Sequence, residues 1–156
     1  MKDSLVILME KVAREYHSGQ FRRDGVTPYI THVEDVVQRV SNCNDITIAL
    51  AWGHDLLEDT TMTRASLIGM GAPKQFVEYL EMLTFPPGLT VDEYHLHVSR
   101  LAPYSVTRDV KLADNLSNIS DAPSAKQILK YSGSIDILLS YALEGYSGKH
   151  KLCERK

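Results

Sequence analysis

Four ionisable residues lie within one short apolar segment, LAWGHDLLEDTT, which covers residues 50–61. They are His54, Asp55, Glu58 and Asp59, and most of their neighbours are apolar. If the segment is helical, residues four apart share a face, so His54 lies over Glu58 and Asp55 over Asp59. One imidazole and three carboxylates along one edge repel each other unless a cation lies among them. The spacing favours a divalent metal site, and a partly exposed acidic face is the alternative.

Two further residues are candidate metal ligands. His32 follows a proline-bearing loop, which fixes its position, although a single histidine taken alone is more often a core residue. Asp114 lies in the middle of an amphipathic helix, where aspartate has poor intrinsic propensity. Asn115 and Asn118 flank it and indicate a polar cavity. A nitrogen and oxygen donor set without thiolates suits Mn²⁺, Fe²⁺ or Mg²⁺ better than a structural zinc site.

Apolar residues recur at spacings of three and four along nearly the whole chain, which predicts helices rather than strands. In a capping box, a Ser or Thr and a Glu or Gln three residues later bond each other's backbone and mark a helix start. Three segments have this pattern: THVE at 31–34, TVDE at 90–93 and SAKQ at 124–127. A further helix is predicted to run without interruption from about Asp45 through residues 50–61.

The composition fits one soluble domain, since the chain has 156 residues, of which 44% are hydrophobic and 24% charged. A formal charge of −3 argues against a general nucleic-acid binder but allows a small anionic ligand. Charged residues interrupt the N-terminal apolar residues, and no apolar run approaches the roughly 20 residues of a membrane span. We therefore predict a compact, cytoplasmic, all-α single domain of about seven helices over residues 1–146, with a short basic tail at 147–156.

The order His32, then the pair His54–Asp55, then Asp114 resembles the H…HD…D signature of the HD-domain metal-dependent phosphohydrolases. A closer resemblance is to the hydrolase domain of RelA/SpoT-type alarmone enzymes, including their small stand-alone forms. Its matching segments are HSGQFRRDGVTPYITH at 17–32, HDLLEDT at 54–60 and VKLADNLSN at 110–118, in the family's order over about two-thirds of the chain. The resemblance implies a helical HD-domain fold and hydrolysis as the activity.

The resemblance also implies a role for each matching residue. The metal ligands would be His32, His54, Asp55 and Asp114. They would hold a single ion, Mn²⁺ in most of the family, with Fe²⁺, Mg²⁺ and Zn²⁺ as alternatives. Glu58 and Asp59 would position or deprotonate the attacking water. The residues expected to contact substrate are Arg22, Arg23, Asn115 and Asn118, although the two arginines would otherwise be a solvated loop pair.

We therefore predict a metal-dependent phosphohydrolase acting on a nucleotide. The first candidate substrate is guanosine 3′,5′-bis(diphosphate), or ppGpp, which would lose its 3′-pyrophosphate. The alternatives are an HD phosphohydrolase of another nucleotide, either a monophosphate or a modified one, and a non-catalytic module that binds or senses a nucleotide. Glu58 and Asp59 favour an enzyme, because a sensor needs no water-activating groups. We expect no stable nucleic-acid complex and no membrane association, and the sequence leaves the oligomeric state open.

Overall fold

A computed structural model describes residues 4–144, which form nine α-helices and no β-strand. The helices are α1 Ser4–Tyr16, α2 Ile30–Arg39, α3 Asp45–Gly53, α4 Leu56–Asp59, α5 Arg64–Gly69, α6 Lys74–Leu83, α7 Val91–Leu101, α8 Ser105–Ile119 and α9 Ala125–Glu144. The all-α prediction is confirmed. The predicted tail at 147–156 lies outside the described residues. Within them, no helix combines the length and apolarity needed to cross a membrane.

Helix α3 is the centre of the fold. Six of its nine residues are buried, and it packs against α1, α2, α6 and α8. The side chain of Asn44 caps its first turn by accepting a hydrogen bond from the backbone N–H of Thr47 at 2.8 Å. At the other end, the small residues Ala51 and Gly53 allow neighbouring helices to approach closely. The C-terminal end of α3 is therefore held inside the core, where its next two residues, His54 and Asp55, can be positioned by packing.

The prediction of one uninterrupted helix through residues 50–61 is wrong at His54 and Asp55. Helix α3 ends at Gly53 and α4 begins at Leu56. The backbone angles of Asp55, φ −102° and ψ 0°, lie outside the helical range. Successive residues of a straight helix point about 100° apart, so this turn is what allows two consecutive side chains to converge on one point. The break raises the helix count above the predicted seven.

Two of the three predicted capping boxes are confirmed. Thr90 and Glu93 bond each other's backbone at the start of α7, and Ser124 and Gln127 do the same before α9, at 2.9 and 3.3 Å. The box at 31–34 is wrong, because α2 already begins at Ile30. The hydroxyl of its threonine instead donates to the backbone carbonyl of Pro28 at 2.7 Å.

The packing at Gly53 predicts a specific sensitivity to substitution. A Cβ atom there would lie 2.6 Å from Met9 Cε and 3.1 Å from Leu80 Cδ2. We expect Gly53→Ala to lower the free energy of unfolding by about 1 kcal/mol, because the end of the buried Met9 side chain must move and the gain in helix propensity offsets part of that cost. Gly69→Ala is the matched control, because a Cβ there meets nothing within 4 Å and alanine favours a helix. Equal stability of the two variants in urea denaturation would contradict this.

Candidate active site

Three parts of the fold bring the four predicted metal ligands together: α2 carries His32, the turn between α3 and α4 carries His54 and Asp55, and α8 carries Asp114. The Nε2 atoms of the two histidines are 3.3 Å apart. Asp114 Oδ1 lies 3.3 Å from His32 Nε2 and 3.9 Å from His54 Nε2. Asp55 Oδ2 lies 3.5 and 2.8 Å from the same two nitrogens. Ligands at about 2.0–2.2 Å from one ion stand roughly 3–4 Å apart, so these spacings suit a common cation.

Hydrogen bonds on the outer side of each imidazole orient its ring. His54 Nδ1 lies 2.8 Å from the carbonyl oxygen of Ala51, and a carbonyl can only accept, so this nitrogen carries a proton. In the neutral ring, the Nε2 lone pair of His54 therefore faces the carboxylate of Asp55. His32 Nδ1 is likewise held by the hydroxyl of Ser117 at 2.9 Å. This arrangement leaves both Nε2 atoms directed at a cation site, as outer hydrogen bonds do around bound metals.

The electrostatics of the cluster keep its carboxylates ionised. Burial disfavours the charged form of Asp55, but His54 and His32 outweigh it and hold the pKa of this carboxyl well below its usual range. Burial is likewise outweighed at Asp114, whose pKa is lowered mainly by Lys111. Burial opposes protonation of His32, yet hydrogen bonds that the imidazolium donates to Asp114 and Asp55 raise its pKa to about 9. The ionised carboxylates thus favour positive charge at the centre of the cluster, from a protonated imidazole or from a bound cation.

Two polar residues of α8 orient the carboxylate of Asp114. The ammonium of Lys111 donates to its Oδ2 at 2.9 Å, and the amide of Asn118 donates to its Oδ1 at 2.6 Å. Both donors lie on the same helix as the carboxylate, three or four residues away, where side chains share a face. The position of the carboxylate is therefore set by α8 itself.

The cluster borders a cavity of about 150 Å³ whose wall includes Glu58 and Asp59. Glu58 Oε2 accepts a hydrogen bond from the backbone N–H of Phe85 at 3.0 Å. The hydroxyl of Tyr29 donates to Asp59 at 3.1 Å and to Asp55 at 2.7 Å. Burial raises the pKa of both Glu58 and Asp59. Carboxylates with raised pKa values are better proton acceptors, as general-base catalysis requires.

The predicted arginines lie beside this cavity but do not line it. Arg22 forms an ion pair with Asp121 at 2.6 Å and lies 3.4 Å from Asn118 Oδ1. Arg23 donates to the backbone carbonyls of Asp121 and Asn118 at 3.0 and 3.4 Å. Both therefore fasten their loop to the C-terminal end of α8. Arg22 lines a second, separate cavity of about 240 Å³, which His32 also borders.

The two predicted amides have different surroundings. Asn118 lines the smaller cavity and contacts Asp114. Asn115 is fully buried: its oxygen accepts from the Tyr94 hydroxyl at 3.0 Å, and its nitrogen donates to the Ser134 hydroxyl. The structure therefore places Asn115 in the packing between α7, α8 and α9 rather than at the cavity.

Sequence reasoning did not select two lysines that line the cavity, Lys111 and Lys130. The spacing of Lys111 from Asp114 is that of a helical ion pair, so this contact could have been found. Nothing local indicates Lys130, because its approach depends on how α9 packs against α7. Burial, together with the charge of Lys111, lowers the pKa of Lys130.

Comparisons with known proteins bear on the fold. Neither a scan against protein-family models nor a search of curated protein sequences gave a match. A solved structure, described as a metazoan ortholog of SpoT that hydrolyses ppGpp and plays a role in starvation responses, superposes with a TM-score of 0.73. The match covers 93% of this chain and 88% of that chain, at 21% sequence identity. The two chains share one fold. The all-α HD-domain architecture expected from the motifs is thereby confirmed.

The cluster predicts a metal-dependent gain in stability. We expect Mn²⁺ to raise the melting temperature of the wild-type protein, because an ion that binds only the folded state stabilises it. Asp114→Asn removes a charged ligand and should abolish this shift and weaken Mn²⁺ binding at least about tenfold. Calorimetric titration and thermal melts measure the two effects. Asp136→Asn, an exposed change on α9, is the control, and equal Mn²⁺ binding by the two variants would rule the site out.

Proposed function

We propose that this protein is a metal-dependent phosphohydrolase that acts on a nucleotide, with the 3′-pyrophosphate ester of ppGpp as the first candidate bond. The proposal rests on one observation: a cluster formed by the buried His32, His54 and Asp114 and the partly buried Asp55 borders the same cavity as two further carboxylates with raised pKa values. The first group suits a cation and the second suits proton transfer from water. A site that only bound a nucleotide would need the first group alone.

The charge of the cavity also favours a phosphate substrate once a cation is present. Its wall carries the four carboxylates of Asp55, Glu58, Asp59 and Asp114 and two ammonium groups. With His32 neutral, as a metal ligand must be, the excess of two negative charges would repel a phosphate, and a divalent ion cancels it. When bound, such an ion would polarise a phosphoryl oxygen and lower the pKa of a coordinated water. The N and O donors fit Mn²⁺, which we propose as the resident ion, as well as Fe²⁺ or Mg²⁺.

The roles of the surrounding residues follow from their contacts. Glu58 and Asp59 would take the proton of the attacking water, since burial has raised their pKa values. Tyr29 would keep the Asp59 carboxylate oriented through its hydroxyl. Asn118 would contact the substrate where it borders the cavity. Arg22 and Arg23 would hold phosphates outside it, on the loop that they fasten to α8.

The size of the cavity limits which part of a nucleotide enters it. At about 150 Å³, it is smaller than the roughly 300–1,000 Å³ of pockets that enclose a whole small molecule. We therefore expect the phosphate end to enter and the nucleoside to remain outside. The structural neighbour's described activity on ppGpp, which has a diphosphate ester, supports ppGpp as the first candidate. A panel of nucleotides assayed with Mn²⁺ separates ppGpp from a monophosphate or a modified nucleotide.

Replacing the proposed proton acceptor should separate chemistry from metal binding. We expect Glu58→Gln to lower kcat for ppGpp by at least about 100-fold, because general-base catalysis contributes roughly 10²–10⁴-fold. Its Mn²⁺ affinity should stay close to that of the wild type. Glu15→Gln, an exposed change on α1, is the control. Tight binding of ppGpp without turnover by the wild-type protein would instead favour a sensor.

The contacts of Arg22 allow a test of whether it binds a substrate phosphate or only fastens its loop to α8. If Arg22 binds a substrate phosphate, Arg22→Ala should raise KM about tenfold or more with little change in kcat, because a charged contact is lost. Asp121→Asn frees the arginine from its ion pair and should leave kcat/KM at or above the wild-type value. Steady-state kinetics with ppGpp measures both. Equal damage in the two variants would show that Arg22 only fastens its loop to α8.

A further inference from the structure

Lys130 brings an ammonium group to the cavity without a carboxylate partner. Its Nζ lies 4.1 Å from the centre of the Tyr94 ring and 5.2 Å from that of Tyr131. Among residues 4–144, the ion pairs of lysines and arginines do not include it. A partly buried charge is unfavourable unless it is paired, and an aromatic face compensates only in part. Lys130 is therefore suited to bind an anion.

The neighbouring lysine cannot serve this purpose in the same way. The ammonium of Lys111 is 2.9 Å from Asp114 Oδ2, so its charge is already balanced by a proposed metal ligand. Lys111 Nζ lies 5.4 Å from the centre of the Tyr94 ring, and Lys130 Nζ contacts the same ring. Both ammonium groups therefore contact Tyr94, and only that of Lys111 is paired with Asp114.

The backbone around Lys130 is held firmly. Its carbonyl oxygen lies 2.8 Å from His95 Nε2 on α7. One turn further along α9, a Cβ added at Gly133 would lie 2.4 Å from His95 Cε1. The absence of a side chain at Gly133 therefore lets the imidazole fit directly against α9. This contact fixes the part of α9 from which Lys130 extends to the cavity.

We propose that Lys130 binds the distal phosphate of a diphosphate group whose proximal phosphate lies at the metal cluster. This inference rests on the proposed function and names the residue that would select a diphosphate ester over a monophosphate ester. His32, Asp55 and Asp114 of the cluster line the same cavity as Lys130, so one bound group can contact both. Lys130 is the cavity cation left to balance the added charge.

Binding of inorganic anions tests the proposal without any need for turnover. Calorimetry on the Mn²⁺-loaded protein should show pyrophosphate binding about tenfold or more tightly than phosphate, because a charged hydrogen bond is added. Lys130→Gln and Lys130→Met should both remove this preference and leave phosphate binding within about threefold. Lys126→Gln, an exposed change one turn earlier in α9, is the control and should keep the preference. An unchanged preference in the Lys130 variants, or equal weakening of both anions, would overturn it.

Kinetics then separates this inference from the proposed function. For an active enzyme, Lys130→Gln should lower kcat/KM about tenfold or more for ppGpp but only a few-fold for guanosine 5′-diphosphate 3′-monophosphate. Lys130→Arg should restore most of the difference, because it keeps the charge. Turnover of ppGpp with unchanged selectivity in Lys130→Gln refutes the inference alone. Absence of turnover in the wild type, with a Lys130-dependent pyrophosphate preference, refutes the hydrolase alone.

Discussion

The structure depends on the convergence of two imidazoles and two carboxylates whose mutual repulsion only a positive charge relieves. Hydrogen bonds to Ala51 and Ser117 fix the outer nitrogens of His54 and His32, and Lys111 and Asn118 fix the Asp114 carboxylate. None of these side chains can turn away without leaving a buried polar group unpaired, which costs about 1–3 kcal/mol. The surrounding helices therefore hold these four side chains in their converging positions.

Much of the fold was predictable because its signals are local. Apolar spacing and the capping boxes before α7 and α9 each depend on a few consecutive residues, and the structure confirms them. The errors arose where tertiary structure overrides a local pattern. The pattern at 50–61 is helical, but the helix is broken at His54 and Asp55, whose side chains converge on one point. The threonine at 31 matched a capping box although the helix had already begun.

The candidate site shows the same division. The four proposed ligands have residue types and positions that mark them in the sequence, and the structure places them together. The rest of the cavity wall depends on contacts between segments that are distant in sequence. Tyr29 contacts Asp55, and Lys130 on α9 contacts Tyr94 on α7. The local sequence does not indicate such long-range contacts. Asn115 illustrates the converse, since its neighbour Asp114 faces the cavity while its own amide lies within the helix packing.

The basic residues around α8 are divided between two sides of the cluster. Arg22 and Arg23 belong to a loop that is tied to the end of α8, whereas Lys111 and Lys130 border the cavity itself. A long polyanion lying across the cluster would meet positive charge on both sides. A short one could engage a single side.

The close fit at Gly53 links the packing of the apolar core to the position of the proposed metal ligands. Met9 and Leu80 press on the residue immediately before His54, so a change in how α1 or α6 fills the core would move the imidazole and carboxylate that follow. Substitutions among the aliphatic residues of α1, far from the cluster, would then change the distances between its side chains. The affinity of the proposed ion site would change with them.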